Sequence, residues 1–190
     1  MKQLFVGALL FMQTVAFAQT TWKNDKAHSK LTFTVTHLMV SDVDGLFKNF
    51  DVTIQASKPD FSDAVFSLTA EVASINTDVE MRDNDLKSAN FFDVAKFPLI
   101  TFKSTAIQPV GKNHYQLTGN LTMHGITKPV KMDLVYRGTI VNPMSKKDDA
   151  GFKLTGTINR ADFNIGTKYP SAMISDEVII KADGEFGKIN

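Results

Sequence analysis

The stretch Leu31-Thr32-Phe33-Thr34-Val35-Thr36-His37 alternates apolar and polar residues with a period of two. As an extended strand it places Leu31, Phe33, Val35 and His37 on one face and its threonines on the other. Its aromatic and β-branched residues suit a pleated surface with one side buried. Such a strand needs neighbours of the same kind, and the chain supplies them. Residues 45–54 follow a turn at 41–44 and set Phe50, Val52 and Ile54 on one face; residues 64–73 set Phe66, Leu68, Ala70 and Val72 inward.

The pattern resumes at 99–106, 115–124, 128–141, 152–158 and 178–182, with Phe102, Leu121, Met132 and Leu154 among the inward positions. About eight strands joined mostly by hairpin-like turns predict an all-β, eight-stranded antiparallel up-and-down barrel. A two-sheet sandwich uses the same periodicity. Gly119 and Gly156 fall on inward faces, where a glycine marks a bend, a bulge or a close approach to the backbone, and they favour the barrel.

Between the third and fourth predicted strands, residues 74–98 break the alternation. Thr77 and Glu80 have the spacing of a capping box. They predict a helix from Val79 to about Ala89, with Val79, Arg82, Leu86 and Ala89 on one face and Asp83 turned away. An aromatic segment with Phe91, Phe92 and Phe97 follows and stops at Pro98. Together with Phe102 these rings can wall a pocket whose rim carries Arg82, Lys87 and Lys96, an arrangement suited to an apolar tail with a wet, polar head.

The N-terminus reads as a secretory signal at 1–18. Lys2 precedes the largely apolar run 4–18, and Ala16-Phe17-Ala18 supplies the small-x-small cleavage pattern. Cleavage leaves 19–190 as one domain with no remaining membrane span, exported to a periplasm. The chain has 21 basic and 20 acidic residues; loss of Lys2 balances them. Neutral charge without a basic run disfavours nucleic acid as a partner. No cysteine is present, so the core alone must stabilise the domain.

Catalytic signatures are missing: no Gly-x-Ser-x-Gly elbow, no His-Glu-x-x-His, no cysteine nucleophile. The four histidines, His28, His37, His114 and His124, lack paired metal-ligand spacing. The reading is therefore not an enzyme, with no metal and no cofactor. One catalytic alternative is open, with His37 or His124 working alongside a carboxylate from Asp78 to Asp85 on a lipid head. Another alternative is a fully packed structural or partner-binding barrel.

Along the whole exported chain the sequence resembles the YceI-like family, the periplasmic polyisoprenoid- or lipid-binding proteins. The resemblance rests on Asp25-x-x-His28-Ser29-x-Leu31-x-Phe33, Gly45-x-Phe47-x-x-Phe50, Ser74-Ile75-Asn76-Thr77, and Arg82-Asp83-x-x-Leu86-Lys87-Ser88-x-x-Phe91-Phe92-Asp93. It continues through Phe97-Pro98-x-Ile100-x-Phe102-x-Ser104, Gly119 to Lys128, Arg160-x-Asp162-Phe163 and Ser175-Asp176-x-Val178. Asn164 departs from it, since the family usually has glycine there, and an altered turn is expected.

The resemblance implies a lipocalin-like barrel holding a long amphiphile, such as an isoprenoid or fatty lipid, as a non-enzymatic carrier. The candidate ligand-facing residues are Phe33, Val35, His37, Phe50, Phe66, Leu68, Leu86, Phe91, Phe92, Phe97, Phe102 and Leu121. Headgroup candidates are Arg82, Lys87 and Arg160. A homodimer is compatible with this reading.

Overall fold

The computed structural model describes residues 19–189. The signal segment expected at 1–18 lies outside them. Ten strands follow in chain order: β1 Thr20–His37, β2 Ser41–Phe47, β3 Phe50–Ala56, β4 Val65–Glu71, β5 Ile75–Asn76, β6 Leu99–Gly111, β7 His114–Met123, β8 Ile126–Val141, β9 Asp148–Asn159 and β10 Glu177–Lys188. One α-helix, α1, spans Glu80–Lys87. All pairings are antiparallel, and β10 pairs back onto β1 from Trp22 to Thr34, which closes the sheet.

The ten segments build eight barrel walls. β2 lies along 32–37 of β1 and β3 along 20–23 of the same strand, so the two are one wall interrupted at Lys48 and Asn49. β4 and β5 are likewise one wall, broken by the 3-10 turn Val72–Ser74. Ser74 ties the two breaks together: its carbonyl accepts from the Lys48 amide and its Oγ from the Asn49 amide. The eight-stranded barrel and the insertion between its third and fourth walls are therefore as the alternation predicts.

Inward glycines make room for rings and sulfur. A Cβ on Gly45 would sit 2.2 Å from the Phe33 ring, one on Gly119 2.4 Å from Phe102, and one on Gly156 2.0 Å from Met132 Sδ. Each large side chain lies flat across a backbone that has nothing projecting from it, so close approach, not a bend alone, is what these positions provide.

One end of the barrel is closed by aromatic packing. Phe61, 2% exposed, reaches inward from the 57–64 loop in a left-handed conformation. Its ring lies 5.0 Å from Phe152, 5.0 Å from Tyr136 and 5.3 Å from Trp22. The Tyr115 hydroxyl donates to the Asp60 carbonyl and fastens this loop in place. Lys58-Pro59-Asp60 has turn chemistry in the sequence, but nothing there shows that the next residue plugs the floor.

The insertion corrects the capping expectation. Helix α1 is shorter than 79–89, and its N-cap is Val79, with no side-chain cap. Thr77 instead donates from its hydroxyl and its amide to Asp83 Oδ1, at 2.6 and 2.8 Å, and the hydroxyl accepts from Arg82 Nε at 2.8 Å. Asp83, expected to face away, is the buried residue of the helix, while Val79 and Ala89 are exposed. A carboxylate that accepts several hydrogen bonds can be buried where a short apolar residue would leave those donors unpaired.

At Asn164 the backbone is left-handed, φ 55° and ψ 30°, closing the 3-10 turn Arg160–Phe163. Glycine adopts this conformation most easily, and asparagine is among the few side chains that tolerate it. Asn164 thus holds a left-handed turn of the kind glycine supplies.

Candidate functional site

Between the aromatic floor and the insertion the barrel is hollow. An inner cavity of about 140 Å³ is lined by Phe50, Phe66, Leu68, Phe102, Leu121, Met132 and Leu154, among others. An outer cavity of about 270 Å³ is lined by Phe33, Val35, His37, Leu86, Phe91 and Phe92 together with Ile165, Tyr169 and Ile174. Phe47, Met123, Ile158 and Ile180 line both, so the two adjoin at these side chains. Leu68, Phe102, Leu154 and Ile180 point inward yet are only half-buried. Their free surface faces the hollow.

Polar groups gather at the outer end. Arg82 lines the outer cavity, donates to the Thr77 hydroxyl and carbonyl, and has no carboxylate within ion-pair distance among the described residues. Asp85 accepts from Asn90 Nδ2 at 2.9 Å and from the Tyr169 hydroxyl at 3.3 Å. The negative charge of Asp85 pushes the Tyr169 phenol above its ordinary value, so it stays protonated as the donor.

Arg160 also lines the outer cavity, but it is 5% exposed and its donors are committed. Its guanidinium donates to the carbonyls of Ile165, Gly166, Tyr169, Ile174 and Ser175 and pairs with Asp176 at 2.9 Å. It holds the 160–176 loop in shape from within and has no donor left for a headgroup. Lys87 does not line either cavity.

Eleven of the twelve candidate ligand-facing residues line the hollow, and Phe97 does not. Its ring packs edge-on against His124 at 4.7 Å and over Gly125, outside the barrel mouth. A helix-containing insertion reads as one aromatic cluster in sequence, but Pro98 turns its last ring towards the β7–β8 hairpin. The sequence reading missed the 160–176 loop, which supplies Ile165, Tyr169 and Ile174. The signal available was Tyr169 in a loop otherwise rich in small and polar residues.

The catalytic alternative asks for His37 or His124 within hydrogen-bond reach of a carboxylate from Asp78 to Asp85. His124 Nδ1 donates to the Phe163 carbonyl at 3.1 Å, and neither His37 nor His124 pairs with a carboxylate among the described residues. No group of three or more His, Cys, Asp or Glu side chains among the described residues is placed to hold a metal. No helix there is long and apolar enough to cross a membrane.

A chain of this architecture has recognisable relatives. The UPF0312 protein SA2479 of Staphylococcus aureus is 37% identical over 171 residues, covering 88% of this chain and 97% of that protein. The crystal structure of Burkholderia cenocepacia BcnA superposes with a TM-score of 0.77 at 27% identity, covering 85% of this chain and 98% of BcnA. A polyisoprenoid binding domain from Saccharophagus degradans shares the fold at a TM-score of 0.67 and 15% identity, covering 88% of this chain and 98% of that domain. The YceI-like domain model matches residues 22–186, nearly the whole barrel, and the chain belongs to the YceI-like family.

Proposed function

We propose that this protein is a non-enzymatic periplasmic carrier that holds one isoprenoid or similar long-chain lipid, tail inward and head at the mouth. The observation that carries the reading is the pair of adjoining, almost wholly apolar cavities, the outer of which is lined by Arg82, a guanidinium held by Thr77 with no carboxylate in ion-pair reach among the described residues. An apolar hollow has little attraction for water and much for hydrocarbon. Each methylene-sized group that enters it is worth about 0.8 kcal/mol. Arg82 offers a charge and planar donors to a phosphate or carbonyl head.

The wall is formed by Phe33, Val35, Phe50, Phe66, Leu68, Leu86, Phe91, Phe92, Phe102 and Leu121, with His37 at the rim. A structural relative described as a polyisoprenoid binding domain has the same barrel, which agrees with a tail of that shape. The periplasmic assignment rests on the signal-like sequence at 1–18.

The test is a series of prenols of increasing length, titrated by calorimetry. Affinity should rise with each added isoprene unit and level off once the inner cavity is filled. Affinity that does not depend on length would contradict a tail buried in the barrel.

A further inference from the structure

We infer that the mouth of the barrel docks onto the surface of a zwitterionic phospholipid bilayer, through the β1–β2 turn and the start of α1. The inference rests on the carrier reading, because a lipid tail passing between the barrel and a bilayer needs a route that stays out of water.

The β1–β2 turn carries Leu38, Met39 and Val40, exposed by 50, 75 and 82%. Leu38 and Met39 both have positive φ, 51° and 57°. The loop between the paired His37 and Ser41 is three residues long, and left-handed positions such as its first two ordinarily take asparagine or glycine. Here the backbone strain is accepted in order to hold large apolar side chains in solvent, and retained strain of this kind points to a surface in use. The turn sits at the outer cavity: His37 and Val43, on its two flanks, line that cavity, and the Leu38 amide donates to the Met173 carbonyl beside Ile174.

The start of α1 brings a second group to the same mouth. Met81 is 82% exposed and Val79 43%, while Thr77 and Arg82, on either side of them in sequence, line the outer cavity. Apolar residues scattered singly on a surface mean little. Two groups flanking the opening of an apolar cavity extend its lining outward, and such rims mark interaction sites. Residues Asp42, Asp78 and Glu80 beside them are exposed and acidic. These three acids outnumber Arg82 and the exposed Lys168 at the same mouth, so an anionic surface gains nothing from charge, and insertion of the apolar side chains must supply the binding.

The opposite end provides an internal control. Ile140, Val141 and Met144 are also exposed, Met144 by 92%, but the β8–β9 hairpin that carries them adjoins the aromatic floor and contributes none of these residues to either cavity.

Flotation of the exported protein with phosphatidylcholine vesicles tests the inference. The protein should float with these vesicles, less with vesicles containing phosphatidylglycerol, and the bound fraction should not fall as salt is raised. Met39→Asp combined with Met81→Asp should lower the bound fraction at least tenfold, and Met144→Asp should leave it unchanged. If the double aspartate variant does not fold, Met39→Ser with Met81→Ser carries the same expectation at a smaller loss. A wild-type protein that stays at the bottom of the gradient overturns the docking surface, as does a folded double variant that floats normally. Prenol uptake from cyclodextrin, measured on the same variants, separates the two readings. Its retention in a non-floating variant leaves the carrier intact, and its absence from a floating wild type removes the carrier and leaves the docking.

Discussion

The ring of Phe91 stacks on that of Tyr169 with centroids 5.0 Å apart and planes 18° from parallel. Phe91 belongs to the insertion and Tyr169 to the 160–176 loop, so this stack, together with the Tyr169–Asp85 and Lys168–Asn90 hydrogen bonds, joins the two segments that cover the outer cavity. Gly166 keeps the stack possible: its φ is +63°, and a Cβ there would lie 2.6 Å from the Phe91 ring.

Opening the cover should therefore be easiest at this contact. An aromatic pair contributes about 0.5–1.5 kcal/mol beyond its buried area. Tyr169→Leu should lower stability by about 1 kcal/mol and speed lipid release several-fold in stopped-flow exchange. Unchanged release would mean that the lipid leaves by another route.

Phe102→Asp puts a carboxylate on the largely apolar wall of the inner cavity, among Phe50, Leu68, Leu121 and Leu154. An unpaired charge in apolar surroundings is strongly disfavoured. The variant should remain folded by circular dichroism, since the hollow leaves room for water, and lose prenol binding in calorimetry. Retained binding by a folded variant would place the tail elsewhere.

Arg160→Gln removes a guanidinium that satisfies five carbonyls and pairs with Asp176. Leaving buried polar groups unpaired costs about 1–3 kcal/mol each where water cannot reach them. A loss of at least about 3 kcal/mol in urea unfolding is expected. Arg160→Lys should recover little of it, because an ammonium group cannot reach the same fork of acceptors.

The β1 bulge at 25–28 offers a titration test. The His28–Asp25 hydrogen bond, at 3.0 Å, raises the imidazole above its ordinary 6.5 and lowers the carboxyl below its ordinary 3.8. The histidine's contribution to stability is full below 6.5 and disappears as pH rises through its raised folded value. The aspartate's contribution is present above 3.8 and disappears as pH falls through its lowered value. Both act together between these limits, and both groups are solvent-exposed, so the effect is small. NMR should find the His28 midpoint above 6.5, and Asp25→Asn should bring it down; no movement would mean that the pair is not formed in solution.

The period-two pattern made the walls legible because each inward residue, from Phe33 to Ile180, pays its way by burial on one face only. It also located most of the hollow, since inward alternation is the same whether a barrel is packed or empty. What alternation cannot show is where side chains run out of length. At Gly45, Gly119 and Gly156 the rings of Phe33 and Phe102 and the sulfur of Met132 lie against bare backbone, which keeps these bulky groups close to the wall. Local signals misled where a longer-range partner took over. Thr77 looked like a cap and instead serves the buried Asp83, and Arg160 looked free for a headgroup but organises its own loop. Tyr169 was missed because a single ring in an irregular loop has no period to betray it.

Solvent extraction of the protein purified from its native envelope, followed by mass spectrometry, tests the carrier most directly. One long-chain isoprenoid or similar amphiphile per barrel should be recovered, and the stripped protein should take it up again. A barrel that is purified empty and takes up no prenol afterwards would contradict the carrier.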